Sequence, residues 1–271
     1  MNTRYFGMAF SLVLMLSGMQ ASAQGEPQII NIPLSNPGEP ITLDISILSA
    51  RIEVIGEDRE DAEFTVTVEM GNRKIITPSG AQELTGGSYS LEVDEDDNHI
   101  SVDTDWRANK VNIVARIPRR ADLELSTTID GEILVSNVTG NMELENTNGP
   151  ITATNISGSV IAEAVNDTID VSFTSIDASN AMSLNSINGD LIFGLPANAG
   201  AQFHLDSSRG EIFSDFEVEV QTTKPVIERR DDRGGVEVRL ESAIVVNVNG
   251  GGPVVQLKTL NGDIQIRKTG N

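Results

Sequence analysis

The chain has 271 residues, 19 Lys and Arg against 40 Asp and Glu, a net charge of −21 and no cysteine. That balance excludes duplex nucleic acid and anionic membrane surfaces as partners, because phosphate contacts need a surplus of cations. Without disulfides an apolar core must hold the fold, and with aromatics at 4% that core has to be aliphatic.

In chain order, residues 1–23 read as an export signal. Arg4 is the positive flank, Tyr5 to Met19 form the apolar run, and Ala21-Ser22-Ala23 is the small-residue cleavage site. The mature chain is expected to begin at Gln24. No later segment approaches the ~18 apolar residues of a transmembrane helix. The expected location is periplasm, outer surface or medium.

Residues 24–120 are expected to be β-rich and irregular. Candidate strands lie at 41–47, 51–55, 64–70, 89–93, 100–103 and 111–117, and Pro33, Pro37 and Pro40 mark an extended entry. Asp94, Glu95, Asp96 and Asp97 form a carboxylate run, a weak Ca²⁺ candidate because that ion takes several oxygen ligands. The spacing matches no EF-hand loop, and a solvated acidic turn is the competing reading. No other cofactor is expected. His99 and His204 are the only histidines and lack metal-ligand spacing.

From residue 121 the chain repeats. Turn residues fall at Gly131, Gly140, Gly149, Gly158 and Asp167, nine apart, with further copies at Gly189, Gly210 and Gly262. Two positions later the residue is always apolar: Ile133, Met142, Ile151, Val160, Ile169, Leu191, Ile212 and Ile264. Four positions later the series is Val135, Leu144, Ala153, Ala162, Val171, Phe193, Ser214 and Ile266, broken only at Ser214. A third apolar position follows at Val138, Ile156 and Val165, with Thr147 as the exception. Such a unit buries its apolar face only against copies of itself. The expected fold is therefore an all-β β-solenoid (parallel β-helix-like) with about 18–22 residues per coil over 121–271. The segment 24–120 and the C-terminal end are expected to cap it. A meandering β-sandwich with Asn-Gly hairpins is the alternative.

Catalytic chemistry has little support. Ser208 lies four residues from His204, ~13 Å along a strand and too far for a dyad. Arg209 beside Asp206, Glu211 and Asp215 is the best mixed-sign group for a carbohydrate-active β-helix enzyme.

The segments VNIVARIP (111–118) and LELSTTIDGEILVSNVTGNMELENTNGPITATNISGSVIAEAVNDTIDV, with the closing TLNGDIQIRK, resemble a bacterial "putative adhesin" family of exported β-strand-repeat domains. The resemblance covers about residues 100–270. It implies an envelope protein with no established activity and no catalytic residues to carry over. The expectation is a non-enzymatic adhesive or structural module with an unknown protein or glycan partner. A carbohydrate-active enzyme and an accessory of envelope-stress signalling are the alternatives.

Overall fold

Alternation of apolar and polar side chains decides the local structure. In Ala50–Glu57 and Asp61–Val68 every second residue is buried, the period of a strand with one face on a core. The computed structural model describes residues 26–69, 91–104, 110–176, 180, 182–221, 226–232, 235–241 and 244–270. The expected export signal, 1–23, lies outside the described residues, among which there is no helix.

Twenty strands form one mixed sheet, and Val226–Asp232 with Gly235–Glu241 make a separate antiparallel pair. The large sheet consists of two series of ladders. The first has eleven strands and begins with Leu91–Asp96, His99–Thr104, Ile41–Ile47, Ala121–Thr127 and Thr139–Asn148. It continues through Ile151–Asn166, Met182–Asn188, Val254–Asn261, Ala201–Ser207, Ile244–Val248 and Val218–Gln221. The second series begins with Gln28–Pro33, Asp61–Val68, Val111–Pro118, Ala50–Glu57 and Glu132–Ser136. It then takes the start of Ile151–Asn166, followed by Ile169–Ile176, Leu191–Pro196, Ile264–Thr269 and Ile212–Ser214. Ile151–Asn166 is shared, crossing from one series to the other near Asn155 (φ 55°) and Gly158 (φ 109°).

Through most of the repeat, strands consecutive in the chain belong to opposite series, and both series contribute to one core running from Leu34 to Ile266. The result is a nearly closed, barrel-like mixed sheet with additional strands. Within the core, Phe193 meets Phe173 at 5.1 Å and Phe203, from the other series, edge-on at 5.4 Å.

This arrangement corrects the expected β-solenoid with end caps. A solenoid lays each turn on the one before it in chain order, and here the order is interleaved. Ile41–Ile47 lies between His99–Thr104 and Ala121–Thr127, so a segment expected to cap an end is interior. Val254–Asn261 is inserted between Met182–Asn188 and Ala201–Ser207. Antiparallel ladders close both ends of the eleven-strand series. The meandering sandwich fails as well, because the ladders through the repeat are parallel rather than hairpin-paired. Periodicity reports which residues face the core. It carries no information on which distant strand lies alongside.

The nine-residue beat corresponds to two alternating corners. Gly131, Gly149 and Gly189 lead from the first series to the second, while Gly140 and Gly158 stand at the opposite corner, in register with each other. The requirement for glycine at the first corner is steric. A Cβ on Gly189 would fall onto the carbonyl oxygen of Asp167, and one on Gly149 onto that of Gly131. Gly250 differs, since it has φ 85° but open space around the missing side chain. Gly189→Ala is therefore expected to cost roughly 3 kcal/mol, because main chain must move. Gly250→Ala should cost only about 1 kcal/mol of backbone strain. Urea unfolding of both variants checks this, and equal midpoints would contradict the steric account.

Candidate interaction surface

The carboxylate run of the sequence is divided by the strand that carries it. In Leu91–Asp96 the side chains of Asp94 and Asp96 are exposed, and Glu95 points to the opposite face. Asp97 (φ 51°) and Asn98 (φ 63°) form the turn to His99–Thr104. Glu95 is engaged by protein donors: Ser35 N–H at 2.9 Å, Ser35 Oγ at 3.0 Å and Asn98 N–H at 3.0 Å. Asp97 accepts from Asn36 Nδ2 at 2.8 Å. The buried Asn98 donates to the carbonyls of Asn36 and Pro40 and accepts from Asn36 N–H. The run therefore clamps the loop after Leu34 onto the hairpin, and among the described residues no group of three or more His, Asp or Glu could hold a metal.

The other candidates are dispersed. His204 Nε2 lies 3.4 Å from Gln202 Oε1, and His99 is exposed beside the acidic turn. Among the described residues no hydrogen bond joins His204 to Ser208. Asp206 pairs with Lys258 at 3.3 Å, Asp215 accepts from the Lys268 N–H at 3.2 Å, and Arg209 donates to Asn261 Oδ1 at 3.1 Å. Glu211 is exposed, its N–H donating to Asp263 Oδ1.

That last Arg209 contact belongs to a feature the sequence reading missed. Asn148, Asn166, Asn188 and Asn261 are register partners on four neighbouring strands. Each donates from Nδ2 to the Oδ1 of the one before: Asn261 to Asn188 at 2.7 Å, Asn188 to Asn166 and Asn166 to Asn148 at 2.9 Å. Asn148 ends the chain on the Thr128 carbonyl at 2.8 Å. Every bond points the same way, so the amide dipoles reinforce one another. The signal was present in the recurrent Asn before each turn, but only the register converts it to a ladder.

Beside the ladder runs an open groove of about 450 Å³. Its apolar wall is Val165, Ile187 and Leu260, from three adjacent strands, 36%, 46% and 43% exposed. Its opposite wall is Glu145, Glu163, Asn185 and Lys258. Val165 belongs to the same nine-residue series as Val138 and Ile156. Those two sit at the opposite corner and are fully buried, whereas at this corner the equivalent position points outward. Behind the groove Asn146 and Ser186 face the core side of their strands, 2% and 8% exposed, and Asn146 Nδ2 donates to the carbonyls of Gly131 and Pro150.

Charge divides unevenly between the two series. Outside the second, Arg51 bridges Glu53 and Glu132, Arg59 bridges Glu57 and Asp61, and Arg116 bridges Glu57 and Glu63. Outside the first, Asp44, Glu124 and Glu143 stand opposite one another on adjacent strands, as do Glu145 and Glu163. Among the described residues none of these five has an ion-pair partner.

No family model matches the chain. No curated protein sequence matches it. Among solved structures it is similar to bacterial proteins described as adhesins, at low identity. One is a "putative cell adhesion protein" from Clostridium sporogenes, with TM-score 0.48 and 10% identity over 90% of this chain and 100% of that one. Another is a "putative adhesin" from Bacteroides fragilis, with TM-score 0.30 and 11% identity over 90% and 97%. A "putative lipid binding protein" from Parabacteroides distasonis has TM-score 0.30 and 13% identity over 91% and 98%.

The clamp on Glu95 carries a pH dependence. The Ser35 N–H holds its carboxyl below the ordinary value of about 4.5, against a smaller opposing effect of burial and with help from the Asn98 N–H and the Ser35 hydroxyl. A lowered carboxylate pKa stabilises the clamp fully above that ordinary value, and the contribution is lost as pH falls through the lowered one. The Ser35 amide resonance should accordingly titrate with a midpoint below 4.5, and in Glu95→Gln that transition should vanish. A midpoint above the ordinary value would contradict the clamp.

Proposed function

We propose that the protein is a non-enzymatic, exported interaction module of a bacterial cell envelope, which holds a protein or glycan partner along the outer face of the eleven-strand series. The groove is the observation that supports this most directly. Isolated exposed aliphatic residues are ordinary, but Val165, Ile187 and Leu260 are contiguous on adjacent strands and bounded by polar walls. Parallel ladders on either side hold them in place, so the surface is formed before any partner arrives. The acidic outer charge favours neutral or basic partners over polyanions. The export signal expected at 1–23 and the adhesin-type resemblance of the repeat are the grounds for a position outside the cytoplasm.

The test is retention of residues 24–271 on a panel of envelope glycans and immobilised envelope proteins, alongside Ile187→Asp/Leu260→Asp. A retained partner whose affinity falls by about tenfold or more in the double variant is the expected result. Release of sugar fragments, or retention indifferent to the two substitutions, would remove this reading.

A further inference from the structure

The groove and the neighbouring acidic columns form one continuous surface, and its chemistry selects among partners. Five strands carry it: Ala121–Thr127, Thr139–Asn148, Ile151–Asn166, Met182–Asn188 and Val254–Asn261. At one end Glu124, Glu143 and Glu145 project outward, and at the other Val165, Ile187 and Leu260 do. Like charges directly opposite each other on a sheet are destabilising, so the acidic columns are an uncompensated cost in the isolated protein. Arg51, Arg59 and Arg116 stand outside the other series, already bridged to acids.

We propose that this surface receives an extended basic segment of a protein partner, its cationic side chains over Glu124, Glu143 and Glu145 and its apolar side chains on Val165, Ile187 and Leu260. Five strands at ~4.8 Å span ~19 Å, which about six extended residues cover at ~3.3 Å each. A polypeptide provides both chemistries that this surface calls for: cations for the acidic columns and aliphatic side chains for the stripe. A neutral glycan offers no cation, and an acidic one is repelled. The assignment presupposes that this face binds a partner at all, which is the reading proposed above.

The experiment uses the full mature chain and two synthetic capped hexapeptides, one with three lysines followed by three leucines and one in the reverse order. Binding is measured by calorimetry at low and physiological salt. Glu124→Gln/Glu143→Gln/Glu145→Gln tests the acidic end, and Ile187→Ser/Leu260→Ser tests the apolar end. Glu26→Gln/Glu60→Gln/Glu211→Gln makes the same charge change at exposed positions elsewhere. One peptide should bind better than the other, weaken by about tenfold in each groove variant and change by less than about twofold in the control. Equal weakening in the control would reduce the interaction to net charge and overturn the assignment, as would indifference to Ile187→Ser/Leu260→Ser. If neither peptide binds while the panel still yields a partner sensitive to Ile187→Asp/Leu260→Asp, the basic segment is excluded and the interaction module stands. Silence in both experiments brings down both.

Discussion

Register is the constraint on which the rest of this molecule depends. Parallel strands ~4.8 Å apart place each residue against its counterpart on the next strand. Whatever the repeat contains is thereby multiplied into a column. Aliphatic positions become the continuous core from Leu34 to Ile266. Glycines become a corner at which successive chains pass too closely for a Cβ. Asparagines become a one-directional chain of hydrogen bonds from Arg209 to Thr128. Carboxylates, which cannot bond one another when ionised, become columns of repulsion at Asp44, Glu124 and Glu143.

The two outer faces answer this constraint differently. Outside the second series, acids alternate with Arg51, Arg59 and Arg116, so the register produces bridges. Outside the first, it produces an acidic field that grades into an apolar stripe across five strands. Here the acidic columns and the aliphatic stripe lie side by side on one face, while Glu95, the most engaged member of the carboxylate run, serves a structural clamp.

Much of the inward face was legible in the residues. Ile133, Met142, Ile151, Val160, Ile169, Leu191 and Ile264, read from spacing alone, are all buried to within 1%. Ser214, the break in the second series, is exposed near the sheet's end. The third series divides in two, because its nine-residue spacing joins two corners of opposite geometry. Val138 and Ile156 turn inward at one, and Thr147 and Val165 line the groove at the other. The groove could not be read for a related reason. Val165, Ile187 and Leu260 lie far apart in the chain and become neighbours only through ladders formed by Ile151–Asn166, Met182–Asn188 and Val254–Asn261.

By itself the sequence determined that the fold is all-β, that its core is aliphatic, where most strands lie and which side of each faces inward. These follow from local stereochemistry, since a strand alternates its side chains and a turn needs residues such as Asn or Gly. Tertiary structure alone decided the strand order: the interior place of Ile41–Ile47, the insertion of Val254–Asn261 and the antiparallel closures at each end. Nearly equivalent aliphatic columns can stack in several orders with similar local energetics. The choice among them rests on the summed packing of one shared core, and no single segment of the chain records it.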